Sequence, residues 1–393
     1  VIWGASVTPE IRAALKPLLD HRRGACGADG LFREFDYRTG ESVRAFLQRN
    51  GTDHGGVTFE SVPFYLLLVG RPDDIPFSFQ TLLDVEYRVG RLDLSSPEAY
   101  EKYARSLVAT ELGTASARER VVHAFGAEHE GDAPTRLSAE VLVRAAPLWL
   151  EKDRHRKLRD KFGLAARMDV GDAANKARLL EIVRGAGGRP ELLFTAGHGL
   201  ACAAGSPRQP GEQGALVTAD WDGFSRIDAG SRFAAEDLSA DADVAGMVVF
   251  LFACYGIGTP ATDSFPTRAG QILAPRPFCS ALPQALLSHQ RGASLGVFGH
   301  VDRTLTWSLQ PPQAPVATAP FERAVLYVLR GAPLGRALDD LNQRSATLVA
   351  TVAEALRPAG SPLDDVKIVS DWTQQRDATA FVLLGDPAAR LKR

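Results

Sequence analysis

Short apolar runs punctuate the chain at Val1–Trp3, Phe64–Val69, Val121–Phe125, Leu192–Thr195, Met247–Ala253, Ala293–Phe298 and Ala380–Leu384. None alternates cleanly between apolar and polar positions, which is the pattern of parallel strands covered on both faces. Helical spacing fills the intervals. Ser96-Pro97 supplies an N-cap and a first-turn proline, Tyr100, Tyr103 and Leu107 form an apolar stripe, and Glu98/Lys102 and Glu101/Arg105 pair four apart. Leu137–Leu150, Ala173–Arg184, Leu282–Gln290, Phe321–Arg330 and Leu334–Leu356 read similarly. This alternation predicts an α/β architecture with a mainly parallel sheet flanked by helices. The small, polar stretch Gly113–Arg118 marks a boundary between an N-terminal α/β subdomain, residues 1–112, and a larger one, residues 119–393.

Composition narrows the class. Of 393 residues, 45% are apolar and 23% charged, so the chain can bury a sizeable core and is neither disordered nor a coiled-coil rod. A formal net charge of −2 lends no support to nucleic-acid binding. No apolar run approaches the roughly 20 residues of a membrane span. Cys26, Cys202, Cys254 and Cys279 lie far apart with no C-x-x-C pair, so the expectation is free thiols in a cytoplasmic compartment. The chain opens on Val1 rather than Met, which leaves open a lost leader or a lost fused domain.

Three long Gly/Pro-rich segments, Leu200–Gly214, Tyr255–Phe278 and Val301–Pro320, interrupt the larger part, and loops of that length inside a domain tend to be functional. Two of them follow strands that end in reactive residues: LLFTAGHG at His198-Gly199, and MVVFLFACYG at Cys254-Tyr255-Gly256. Reactive groups in open α/β sheets collect at strand carboxyl ends. A thiol there needs a neighbouring imidazole to favour the thiolate, and glycines beside both residues admit the substrate backbone. The N–H groups of Gly199 and Cys254 are then candidates for stabilising an oxyanion.

The A-C-x-G run at Ala253–Gly256, with His198 standing 56 residues upstream, resembles the caspase signature, whose His lies about 50 residues before the Cys. Phe252 and Tyr255 depart from that signature and point to a relative of the caspases. YLLLVGRPDDIP (Tyr65–Pro76), Asp84-Val85-Glu86-Tyr87, Val89-Gly90-Arg91, GASLGVFGHVDRTLTW (Gly292–Trp307) and FVLLGDPAARL (Phe381–Leu391) resemble the gingipain branch of the caspase-like peptidases and the bacterial CHAT proteases, in that family's order. The resemblance implies a caspase-hemoglobinase-like sheet preceded by a smaller, pseudo-caspase-like subdomain. It also implies a cysteine endopeptidase with Cys254 as nucleophile, His198 as acid/base and the Gly199 N–H in the oxyanion hole. A carboxylate from the N-terminal subdomain would orient the histidine, with Asp74 the candidate and Asp73 next. Asp84 and Trp307 would line the pocket for an arginine or other basic residue before the scissile bond, with Asp263 in reserve. The acidic residue that metacaspases carry two positions before the cysteine is Phe252 here. Arg208 becomes a candidate self-cleavage point. CHAT relatives imply a protein substrate and a fused or partner sensor in antiviral defence or cell death.

Rival readings are weaker. Gly292-Ala293-Ser294-Leu295-Gly296 spells G-x-S-x-G, but no acid followed by a histidine comes after it in the order a serine hydrolase needs. His123 and His129 lack partners at metal-ligand spacing, no EF-hand occurs, and no phosphate-binding glycine motif is present, so no cofactor or metal is expected. A catalytically silent scaffold of the same fold is the serious alternative.

Overall fold

The structure, a computed structural model, describes residues 1–27, 30–311, 315–356 and 365–393. Its strands are β1 (Ile2–Trp3), β2 (Phe35–Asp36), β3 (Tyr65–Val69), β4 (Arg88–Leu92), β5 (Glu119–Gly126), β6 (Ala165–Val170), β7 (Pro190–Ala196), β8 (Leu216–Val217), β9 (Arg232–Phe233), β10 (Val248–Phe252), β11 (Gly258–Thr259), β12 (Phe278–Cys279), β13 (Gly296–His300) and β14 (Phe381–Gly385). Ten of them form one sheet in the order β2-β1-β3-β4-β14-β13-β10-β7-β5-β6; β8/β9 and β11/β12 are small antiparallel ribbons.

All seven apolar runs are strands, and every pairing in the large sheet is parallel except β13 with β14. The fold is mixed α/β, with a mostly parallel sheet flanked by helices. Chain direction reverses at that single antiparallel pair. In register, the amino end of β4 therefore aligns with the carboxyl ends of β13 and β10.

The sheet is continuous across residues 113–118, because the last strand, β14, joins β4 on one side and β13 on the other. Helix Pro97–Leu112, capped by Ser96 and closed by Gly113 at φ 74°, reinforces this seam. Its Tyr103 hydroxyl donates to Leu295 O at 2.9 Å and accepts from Asp386 N at 2.7 Å. A buried aromatic ladder then fixes the central strands. Phe194, Phe250 and Phe298 share one register row on β7, β10 and β13, with centroid spacings of 4.9 and 5.9 Å. Phe321 and Phe381 pack edge-on or tilted against Phe250. Close packing of large rings leaves little room for strand slippage, so the loops that follow β7 and β10 start from fixed points.

Three strands of the large sheet were not legible as apolar runs. β4 carries the fully buried Arg91 one residue before its end, β6 is a half-exposed edge strand, and β2 has two residues. No described helix is long and apolar enough to cross a membrane.

Candidate active site

The last register pair of β7 and β10 is Ala196 with Phe252, extended by a Gly197 N to Phe252 O hydrogen bond of 3.1 Å. His198 and Cys254 each lie two residues beyond that pair, so equal overhangs deliver them side by side. Gly199 makes the approach possible: a Cβ there would overlap the Cys254 carbonyl oxygen. Among the described residues, neither the Gly199 N–H nor the Cys254 N–H donates to any acceptor.

After Cys254 the chain turns sharply. Tyr255 adopts a left-handed φ of 56°, rare for a residue with a Cβ, and Gly256 N closes the turn on Ala253 O at 3.1 Å. Tyr255 N donates to Asp302 O at 2.7 Å, and the Ser280 hydroxyl donates to Tyr255 O at 2.5 Å. The Cys254 thiol donates to Thr304 O at 3.5 Å, and burial pushes its pKa up, so the resting group is the thiol.

His198 is held from the opposite side. Val217 N donates to its carbonyl at 3.0 Å, tying it to the β8/β9 ribbon. Its Nε2 bonds to Asp132 Oδ2, while Nδ1 makes no hydrogen bond among the described residues. Asp132 follows β5, the neighbour of β7, and caps helix Ala133–Ser138 by accepting from Thr135 N with its other oxygen at 3.3 Å. One carboxylate therefore fixes a helix start and an imidazole together. The His129 ring lies parallel to His198 at 6.1 Å, its Nδ1 3.1 Å from Trp221 O, and Trp221 packs edge-on to both rings at 4.9 and 6.1 Å. Burial lowers the His129 pKa, which keeps that ring neutral.

Asp74 is not the orienting carboxylate. Its oxygens accept from Ala5 N (3.0 Å), Ser6 N (2.9 Å) and Ser6 Oγ (2.7 Å), locking the end of β1 to the loop after β3. Asp73 pairs with Arg71 at 3.1 Å. Asp132 holds the histidine instead. Its sequence signal, an aspartate two residues before a proline just past a buried strand, reads as a helix cap, and only the strand order brings it beside His198.

Of the pocket candidates, Asp84 and Trp307 are not joined. Asp84 is buried, its oxygens accepting from Val89 N at 2.7 Å and Asn342 Nδ2 at 2.8 Å, and burial raises its pKa to about 7. The Trp307 carbonyl accepts from Arg344 at 3.1 Å. The Asp84 carboxylate is therefore engaged inside the fold, whereas Trp307 stands three residues after the Thr304 carbonyl that receives the thiol. Asp263 lies closer to the thiol's surroundings: it binds Arg303 at 2.6 Å, and Arg303 precedes the Thr304 carbonyl that receives the thiol. Beside it, Asp302 is buried with Oδ2 unpaired. Arg208 bonds to Glu212 at 2.9 Å and to Ile227 O at 3.3 Å, which ties down the suggested cleavage point.

Ser294 is no nucleophile elbow: it is buried, with Oγ on Val244 O at 3.3 Å, and enters β13 directly. Among the described residues no group of three His, Cys, Asp or Glu side chains could hold a metal; His123 pairs with Asp169 at 2.7 Å.

No family model matches the chain, and no curated protein matches it in sequence. In fold, the chain is similar over 99% of its length, and 77% of the other's, to the solved structure of a protease, with a TM-score of 0.54 and 11% identity.

Proposed function

We propose that this chain is a cysteine endopeptidase with a caspase-like catalytic part, residues 119–393, preceded by a smaller subdomain, residues 1–112. The carrying observation is the Asp132–His198 pair beside Cys254, with two adjacent backbone N–H groups left without acceptors. The fold's likeness to a protease supports the same reading.

The chemistry follows from these groups. His198 Nδ1 takes the Cys254 proton, and Asp132 stabilises the imidazolium that results. The thiolate attacks the scissile carbonyl carbon, and the displaced π electrons become an oxyanion held by the Gly199 and Cys254 N–H groups. On collapse the C–N bond breaks as His198 protonates the leaving amine, and a thioester remains. Water, losing a proton to His198, then attacks the thioester. The C–S bond breaks, the acid product leaves, and the proton returns to sulfur.

The residue before the scissile bond is basic in this proposal, with arginine favoured. Asp302, whose Oδ2 has no hydrogen-bond partner among the described residues, takes over the pocket role expected of Asp84. The substrate is a protein, and a fused or partner sensor switches the enzyme in cytoplasmic antiviral defence.

The test is a peptide series with Arg, Lys, Asp, Asn or Leu before the scissile bond, cleaved by wild type beside Cys254→Ala. Cys254-dependent cleavage after Arg supports the whole proposal, while preference for Asp or Asn discards the pocket and keeps the peptidase. No turnover, together with no labelling of Cys254 by a thiol-reactive peptide, would overturn the enzyme in favour of a scaffold.

A further inference from the structure

A cavity of about 340 Å³ opens between the segment after His198 and the turn around Trp221. Its walls include Leu200, Cys202, Ala203, Trp221 and Ile227, with Arg226 at the side. Leu200, Cys202 and Ile227 belong to a small apolar cluster separate from the main core. The volume is at the low end of ligand sites, suited to one side chain with its flanking backbone.

Two observations connect this cavity to the chemistry. Trp221, one of its walls, packs edge-on to His198, and Leu200 stands two residues beyond that histidine. The Cys254 thiol is held from another side by Thr304 O, and Tyr255 and Asp302 brace the turn after it; none of these three lines the cavity. The cavity thus belongs to the imidazole side of the site.

The adjoining turn is rigid, yet it exposes a large ring. Asp222 Oδ1 accepts from Phe224 N at 2.9 Å and from Ser225 N at 2.7 Å, and Trp221 Nε1 donates to Ser225 O at 2.7 Å. On this braced turn Phe224 is 88% exposed. Phe224 therefore holds a large apolar ring on a braced turn, three residues from the cavity wall Trp221.

We infer that this cavity, with Phe224 on the adjoining turn, binds an apolar side chain of the protein substrate on the leaving-group side of the scissile bond. The inference rests on the peptidase reading. In that mechanism His198 hands its proton to the leaving amine, so the chain carrying that amine runs past the imidazole and its neighbours. Leu200, Cys202 and Ile227 make one wall apolar, the Arg208 charge is engaged by Glu212 and the Arg226 charge is exposed to water, so an aliphatic or aromatic residue fits better than a charged one.

The experiment compares two substrates sharing the residues before the bond. One ends in a small fluorogenic amine, and the other is an internally quenched peptide with four residues after the bond, leucine or aspartate placed at each in turn. Wild type is expected to prefer leucine over aspartate by about tenfold at one of those positions. Phe224→Ala and the cavity-filling Ala203→Trp change exposed positions, and each is expected to lower the ratio of kcat/KM for the leucine peptide to that for the small amide by about tenfold. An unchanged ratio, or no position preferring leucine, overturns the inference while cleavage of the small amide keeps the peptidase. Cleavage of neither substrate by wild type, with no labelling of Cys254, overturns both.

Discussion

Tyr255 and Asp302 are the two non-glycine residues with positive φ among those described, at 56° and 81°, and they are joined by a 2.7 Å hydrogen bond from Tyr255 N to Asp302 O. One follows the thiol residue, and the other begins the turn whose Thr304 carbonyl receives the thiol. Two left-handed residues, each costing on the order of 1–3 kcal/mol, persist only where their surroundings over-determine them, and here they brace each other beneath Cys254.

That turn makes stability depend on pH. Burial raises the Asp302 pKa to about 6, with Asp263 nearby adding to the effect; the Arg303 N–H, the Arg303 charge and His300 oppose it. A carboxyl raised in the folded state holds its proton better there than in the unfolded chain. Its contribution is fully present below about pH 4 and is lost as pH rises through about 6. Asparagine tolerates a left-handed φ and removes the charge. Asp302→Asn should therefore gain thermal stability over wild type as pH goes from 4.5 to 8, read as a growing Tm difference. Asp84, raised to about 7, is common to both proteins and cancels in that difference. A difference that stays flat with pH would show that burial does not raise the Asp302 pKa above its value in the unfolded chain.

Asp132 serves a helix and a histidine, and two substitutions separate the roles. Asn can still cap helix Ala133–Ser138, whereas Ala loses the cap at a cost of about 1 kcal/mol. Both lose the charge that stabilises imidazolium. The expected result is a fall in kcat of about 10²–10⁴ for each variant, on the scale of general acid–base catalysis. A Tm loss is expected for Asp132→Ala and only a small one for Asp132→Asn. Full activity in Asp132→Asn would remove the carboxylate from the mechanism.

The central sheet was readable because strands buried on both faces appear as unbroken apolar runs, and His198 and Cys254 because each stands just past such a run. What escaped reading depends on contacts remote in sequence. Arg91 interrupts β4, since its charge is satisfied by carbonyls of a loop some 15–21 residues away. Asp132 is 66 residues from His198, and only the placing of β5 beside β7 joins them. Asp74 looked suitable from its motif, but the pairing of β1 with β3 gives its carboxylate to Ala5 and Ser6.

Gly199 tests the backbone contact directly. A methyl group there meets the Cys254 carbonyl, backbone against backbone, where no flexible side chain can yield. Overpacking of this kind costs typically 1–3 kcal/mol, and here the strain falls on the residue carrying the thiol. Gly199→Ala should fold with a lowered Tm and lose labelling of Cys254 by a thiol-reactive peptide. Labelling at the wild-type rate would mean that the two segments separate at no cost to the site.

Arg91 offers a last test, of the seam rather than the site. Fully buried in β4, it donates from Nε to Gln80 Oε1 at 2.8 Å, from Nη1 to Gly70 O at 2.9 Å and from Nη2 to Ile75 O at 2.6 Å. Gln80 in turn donates to Leu383 O at 3.2 Å on β14, so the guanidinium organises the junction between the two runs of the sheet. Arg91→Met leaves these acceptors unpaired at roughly 1–3 kcal/mol each. Arg91→Lys supplies a point charge with no planar fork, and cannot reach three diverging oxygens. Both variants should unfold at clearly lower urea concentration than wild type, with Lys no better than Met because its ammonium also loses hydration. A wild-type midpoint for Arg91→Lys would show that charge alone, and not the fork, holds the loop after β3 against β4.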